Sequence, residues 1–448
     1  MLAKIGYTAA QAKRTPSLVS LLRAFWSMSS MTFESQSLDP IVAAARACPD
    51  WRSLPSKFFS SDDFFHADLD RVWRRGWLFV GHDCEIPKPG DYVTFNIGTD
   101  PLLVIRGDDG EVRAFHNVCR HRGTLLCNKP SGTARQLVCS YHQWVYSKDG
   151  RLLSCRGMQD GLDTGALGLS PVATENLCGF IFVNLAKRPD NFGPARALIE
   201  PMLRPQGCDR AKVAKAVNYT VNANWKLVWE NNRECYHCNF NHPQYIKANY
   251  DHYNTDDTSP ELMAKIADKS KQSEKGWSRQ GLAITHQSSG MAPFPNNGDD
   301  GWFSINRTPL ADGYVSETMD GRQVAPLMGD YTENTLGTLR LRTVPNMWCH
   351  ASCDHVVSTR LLPVDKSTTE VRVFWLVDEN AKEGKDYQLE KVMPFWQLTS
   401  EQDWTLCEAA QLGVQSSGYR PGPYSTHKEY NVERFVRWYL NQLKKGTE

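Results

Sequence analysis

The sequence predicts an α+β protein in two parts, an N-terminal antiparallel β domain followed by an α+β catalytic-sized domain whose antiparallel sheet is covered by helices. Two observations lead there. Residues 77–186 carry short β-branched and aromatic runs, at 92–97, 102–105 and 180–183, separated by turn residues such as Pro89-Gly90, Asp108-Asp109-Gly110 and Asp149-Gly150. Beyond residue 187 helical periodicity alternates with further strand-like runs, which is the pattern of a mixed layer architecture.

In chain order, residues 1–54 read as an extension. They hold Lys4, Lys13, Arg14 and Arg23, several serines, and no acid before Glu34, the composition of an organelle transit segment. A disordered tail, or a true start at Met28 or Met31, fits equally, so the location is expected to be cytoplasmic, or an organelle matrix if residues 1–30 are cleaved. Residues 55–76 form a lead-in helix, with Phe64, Leu69, Val72 and Trp73 at helical spacing behind Ser60-Ser61-Asp62. After the β domain, the Pro-containing stretch 187–205 marks a boundary. The second domain, residues 187–448, is expected to hold a helix over 224–240, a polar helix-rich stretch over 251–290, strands at 338–344, 356–362 and 371–377, and helices at 388–412 and 431–443.

The chain has 448 residues, enough for two cores. Lys plus Arg is 51 against 50 for Asp plus Glu, so no basic field points to nucleic acid and a small-molecule partner is expected. No apolar run of about 18 residues suggests a membrane span. Thirteen cysteines in so long a chain argue for a reducing compartment and metal chemistry over a disulfide framework.

One motif carries that chemistry. Cys119-Arg120-His121 is followed, after 17 residues, by Cys139-Ser140-Tyr141-His142. Each loop delivers one Cys and one His, matching a [2Fe-2S] centre with two thiolates on one iron and two imidazoles on the other. The same four residues make a Cys2His2 zinc set, although Cys-x-His closes poorly on a single tetrahedral ion. Gly123 would admit close backbone approach to sulfur.

A second constellation lies in Asn224–Pro243, where His237 and His242 stand five positions apart. On a straight helix the second would be rotated about 140° from the first, so both reach one metal only if the helix ends between them, as Asn241 and Pro243 allow. Two histidines and a carboxylate on one face are what an O2-activating Fe(II) needs.

The loops C-R-H-R-G and C-S-Y-H-Q-W, with this histidine pair, resemble the Rieske non-haem iron oxygenases from about residue 55 to the end. That resemblance implies an oxygenase (alpha) subunit with a [2Fe-2S] cluster on Cys119, His121, Cys139 and His142, and a mononuclear Fe(II) on His237, His242 and Asp403. The third ligand comes from matching residues 400–408 to the family's C-terminal helix, with Glu401 and Glu408 as alternatives. It also implies that Glu234 links the iron to the cluster of a neighbouring subunit, and hence a homotrimer.

Most ring-hydroxylating members carry Asp where this chain has Glu234, and Glu resembles the branch that oxidises quaternary amines. Residues 230–238, 318–321 and 419–424 are most similar to glycine betaine monooxygenases, which hydroxylate an N-methyl carbon and release formaldehyde and dimethylglycine. Proline betaine, choline and carnitine are the alternative substrates. An arene dihydroxylase and an electron-transfer-only Rieske protein are the alternative functions. A permanent cation calls for aromatic faces, with Trp302, Phe303, Trp348, Phe374 and Trp375 as candidates. No dinucleotide fingerprint occurs, so NAD(P)H is expected to act through a separate flavin and iron-sulfur reductase.

Overall fold

The computed structural model describes residues 39–249, 259–284 and 301–445. The expectations for residues 1–30, and for 251–258 and 285–290, lie outside them. Asp39 caps the first helix, α1 (Pro40–Arg46), its carboxylate accepting from the Ile41 amide at 2.8 Å. Two short helices follow, α2 (Lys57–Ser60) and α3 (Asp62–Asp68), the latter continued by a wider π turn over Leu69–Trp73. Phe64, Leu69, Val72 and Trp73 all turn into the main core, as their spacing requires.

The β domain opens with β1 (Leu78–His82), β2 (Asp91–Ile97), β3 (Asp100–Arg106), β4 (Val112–His116) and β5 (Ser131–Thr133). Three short strands, β6 (Leu137–Val138), β7 (Val145–Tyr146) and β8 (Leu152–Ser154), make a separate antiparallel sheet. β9 (Pro171–Leu177) and β10 (Phe180–Asn184) then return to complete a seven-stranded sheet in the order β1-β10-β9-β4-β3-β2-β5. The supposed linker at 187–205 is in fact mostly helical. α4 (Gly193–Leu203) has Pro194 in its first turn and tolerates Pro201 near its end, burying Ala195, Ile199, Met202 and Leu203.

The second sheet has six antiparallel strands, in the order β11-β16-β15-β14-β13-β12. β13 (Thr338–Thr343), β15 (Val356–Asp365) and β16 (Thr368–Asp378) lie where strand-like runs are expected. β11 (Ala211–Val221), β12 (Phe303–Thr308) and β14 (Met347–Ala351) are additions that the hydrophobic pattern alone does not reveal. The two sheets dock through buried polar pairs. Asn346 donates to the Phe79 carbonyl (2.8 Å) and accepts from the Phe79 amide (2.9 Å), and His82 Nε2 meets Ser358 Oγ at 2.7 Å.

The predicted helix over 224–240 is two pieces, α5 (Trp225–Asn232) and α6 (Cys238–Asn241), and a third short helix, α7 (Pro243–Ala248), follows beyond it. Asn224 caps α5 by accepting from the Lys226 amide at 3.0 Å. α8 (Pro260–Arg279) lies within the polar stretch, and α9 (Leu389–Val392), α10 (Pro394–Val414) and α11 (Tyr430–Lys444) close the chain. No helix among the described residues is long and apolar enough to cross a membrane.

α5 is pinned by one fully buried carboxylate. Asp68, at the end of α3, pairs with Lys226 and accepts from Trp225 Nε1 (2.9 Å) and Tyr439 Oη (2.7 Å). Three elements distant in sequence thereby converge on one charge, whose burial is offset by a cation and by donors to both of its oxygens.

Candidate metal centres

The two cysteine–histidine loops are twins in backbone geometry. The Gly123 amide donates to the Cys119 carbonyl and the Cys119 amide to Thr124; equally, the Gln143 amide donates to Cys139 and the Cys139 amide to Trp144, all at 2.8–3.0 Å. The fifth position of each turns with positive φ, 78° at Gly123 and 58° at Gln143. Both cysteines are buried in a small apolar core with Tyr146, and both histidines are half-exposed, with ring centroids 4.5 Å apart. Trp144 stacks on His121 at 4.9 Å, and the Tyr146 hydroxyl lies 3.3 Å from Cys119 Sγ. Two thiols inside and two imidazoles at the rim fit the two-cysteine, two-histidine ligand set of a Rieske cluster, with the histidine side towards the surface.

The second centre is assembled from two breaks in the helical run. α5 stops at Asn232 because Glu234 captures the next amides itself, accepting from Tyr236 and His237 through Oε2. Glu234 therefore does not share a helical face with His237. It reaches it across a turn, where His237 Nδ1 donates to Glu234 Oε1 at 2.6 Å. His242 sits in non-helical geometry (φ −128°, ψ 64°) between α6 and α7, as Pro243 after it favours.

From these breaks His237 Nε2 and His242 Nε2 come within 3.1 Å, and Asp403 Oδ1, from the middle of α10, lies 3.2 and 2.9 Å from them. Donors held about 2.1 Å from one ion and at right angles stand about 3.0 Å apart. The three side chains thus have the spacing of one face of an octahedral ion. The opposite nitrogens are committed elsewhere, His237 Nδ1 to Glu234 and His242 Nδ1 to Gln402 Oε1 (2.8 Å), which leaves both Nε2 lone pairs facing the common point. Glu408 points away, accepting from Asn222, and Glu401 is engaged by Gln397, so neither competes with Asp403.

Electrostatics favour a cation at that point. Burial lowers the His237 pKa, but hydrogen bonds to Asp403 and Glu234 outweigh it and push it up to about 10. Burial likewise raises Asp403, yet its bonds to His237 and His242 hold it below the ordinary carboxylate range. A site that stabilises positive charge this way binds a metal ion by exchanging a proton for it. Cys238 Sγ lies within 4.8 Å of the histidine donors, but Cys238 is joined to Cys235 by a disulfide, the one departure from the all-thiol expectation.

Beside the three donors is a pocket with about 410 Å³ of non-protein space, part of it open to solvent. Asn231, Asn232, Tyr245, Trp396 and Thr399 line it from the helices, and Arg342 and His350 from strands of the second sheet. Burial drives the His350 pKa down to about 4, with Arg340 and Arg342 adding to it against Glu317, so this ring is neutral at pH 7. The five aromatic candidates read from the sequence do not line the pocket. Phe303 and Phe374 belong to the apolar core behind the second sheet with Trp302 packed against it, and Trp348 and Trp375 belong to the main core. Tyr245 and Trp396, with rings 6.0 Å apart, take that place. No local motif announces them, because they come from helices 150 residues apart.

Comparison with known proteins agrees with both centres. Residues 76–165 match the Rieske [2Fe-2S] domain, which sets the zinc alternative aside, and residues 208–445 match the ring hydroxylating alpha subunit (catalytic domain). The chain is 40% identical over 414 residues to the glycine betaine monooxygenase oxygenase subunit of Chromohalobacter salexigens, covering 90% of each. It is 38% identical to the corresponding subunit of Pseudomonas aeruginosa, covering 90% of this chain and 94% of the relative. In fold it is similar to the quaternary ammonium Rieske monooxygenase CntA solved with gamma-butyrobetaine (TM-score 0.64, 20% identity, 90% of this chain and 98% of the other). With a Rieske domain followed by a catalytic domain of the kind that binds mononuclear iron and draws its electrons from a reductase, this chain belongs to the Rieske non-haem iron oxygenases, as an oxygenase alpha subunit.

Proposed function

We propose that this chain oxygenates an N-methyl group of a carboxylated quaternary amine, foremost glycine betaine, releasing formaldehyde and dimethylglycine. The supporting observation is its 38–40% identity to glycine betaine monooxygenase oxygenase subunits across 90% of the chain. In this reading residues 77–186 carry the cluster on Cys119, Cys139, His121 and His142, and residues 187–448 carry the iron on His237, His242 and Asp403. Bound iron supplies the activation of O2. Tyr245 and Trp396 offer ring faces to the trimethylammonium group, which can neither donate nor accept a hydrogen bond.

One oxygen atom enters a methyl C–H bond and the other leaves as water, with two electrons and one proton supplied from NAD(P)H through a separate flavin and iron-sulfur reductase and the second proton taken from solvent. The hydroxymethyl group then loses its hydroxyl proton as the C–N bond breaks, and nitrogen keeps the electron pair.

Glu234 acts as a positioning residue, setting the His237 tautomer and facing the cluster of a neighbouring copy in a homotrimer. Its surroundings suit an interface: Phe240 is 97% exposed and Tyr236 51%, and Tyr141, beside His142 on the cluster rim, is 54% exposed. A reducing cytoplasm suits the unpaired cysteines and an iron-sulfur centre. The test is to incubate the iron-loaded protein with reductase, NAD(P)H and O2 against glycine betaine, proline betaine, choline and carnitine, and to measure formaldehyde. Glycine betaine should give the most. A cis-diol from an arene, with no formaldehyde from any amine, would overturn the reading.

A further inference from the structure

The second sheet serves two different buried environments through its alternation. On β13, Leu339 and Leu341 face the apolar core, with Ile305 of β12 and Cys349 of β14. The intervening positions are polar. Arg340 pairs across the strands with Asn306 and His350, and Arg342 with Ser304 and Trp348, and all six are buried. Burying a whole polar sheet face costs free energy unless its groups meet partners, and this face forms the wall of the pocket that also holds Tyr245 and Trp396.

The two arginines are not equivalent. Arg340 donates to Asn249 Oδ1 at 2.9 Å and lies 6.0 Å from the Tyr245 ring, so it braces the wall. Arg342 reaches the pocket itself. Opposite it on β12, Ser304 is fully buried, with no protein hydrogen-bond partner for its hydroxyl among the described residues. Ser304 does not line the pocket, so the guanidinium is the group that meets a ligand there: it can hold a carboxylate by charge-assisted hydrogen bonds, and it repels a ligand that brings only positive charge.

We propose that Arg342 is the specificity-determining residue, taking the substrate carboxylate while the trimethylammonium end lies against Tyr245 and Trp396, so that the site selects zwitterionic amines over the alcohol choline. This deepens the quaternary-amine reading and rests on it.

The test compares wild-type protein with R342Q and R342K, each checked for cluster absorbance and iron content, by calorimetric binding and formaldehyde kinetics with glycine betaine and choline. R342Q should weaken glycine betaine, in Kd and KM, by about 10-fold to 100-fold and leave choline unchanged or improved, with Lys recovering part of the loss. An equal effect on both ligands, or none, overturns the assignment while leaving the demethylase reading standing. Wild-type protein that binds neither amine overturns both. Should the variants fail to fold, the wild type alone decides. Choline binding at least about 10-fold weaker than glycine betaine supports the assignment, and equal affinities refute it.

Discussion

His242 is held from both ends: its Nδ1 donates to Gln402 Oε1 at 2.8 Å while its Nε2 stands 2.9 Å from Asp403 Oδ1, so adjacent residues of α10 fix its tautomer and share its metal-facing side. Gln402 is itself oriented by Gln244 Nε2 (3.0 Å), which also donates to Thr399 Oγ1 (2.9 Å). Replacing Gln402 by Ala should cost about 10-fold to 100-fold in iron affinity without touching the cluster. Chelator competition followed by metal analysis measures it, and an unaltered iron affinity would show that the imidazole is held by other means.

Glu234→Gln keeps the acceptor for the Tyr236 and His237 amides but removes the charge from the turn. Both metal centres and substrate binding should survive while turnover falls at least about 100-fold, the scale of losing a positioned polar group. Substrate consumption with reductase, together with iron and sulfide analysis, separates the two effects. Normal oxygenation would end the positioning role.

Asp68→Ala strands the Lys226 ammonium in a fully buried site. Removing one partner of a buried pair costs about 3–5 kcal/mol, which should appear as a lower midpoint in urea unfolding. Adding Lys226→Met should restore part of it, since the orphaned charge is then gone. If the double variant is no better than the single, the hydrogen bonds to Trp225 and Tyr439 matter more than the ion pair.

Burial pushes the Glu230 carboxyl up from 4.5 to about 8, with the Lys226 charge and the Tyr424 hydroxyl opposing. Between those values the folded chain keeps a proton that the unfolded chain releases, so stability falls as pH rises through this window. Glu230→Gln should flatten the decline, matching wild type near pH 5 and exceeding it near pH 8 in urea titrations. An unchanged slope would mean that Glu230 is ionised throughout.

The cluster loops were legible because all their determinants are local: two cysteine–histidine pairs, a glycine, and a turn. The residues proposed for the iron site stood out in the sequence and the fold brings them together, but the backbone that does so was not legible. No Gly or Pro interrupts the run from Trp229 to Phe240, and nothing in it shows that Glu234 uses its side chain to replace helical hydrogen bonds. β12 and β14 escaped for the converse reason. Their polar alternate residues, such as Asn306 and His350, look solvent-facing in sequence, yet both are buried and His350 lines the pocket. Gln402, Tyr245, Trp396 and Arg342 carry no signal at all until the chain is folded.

The convergence of Asp68, Lys226 and Tyr439 also imposes an order on biogenesis. The segment bearing His237 and His242 hangs from α5, and α5 is not secured until Tyr439, near the end of α11, has been synthesised. The cluster loops depend on partners within their own domain. On the ribosome, the local geometry of these loops can therefore form early, whereas the sheet beside them completes its packing only with the second domain and the histidine pair takes its place only with the finished chain.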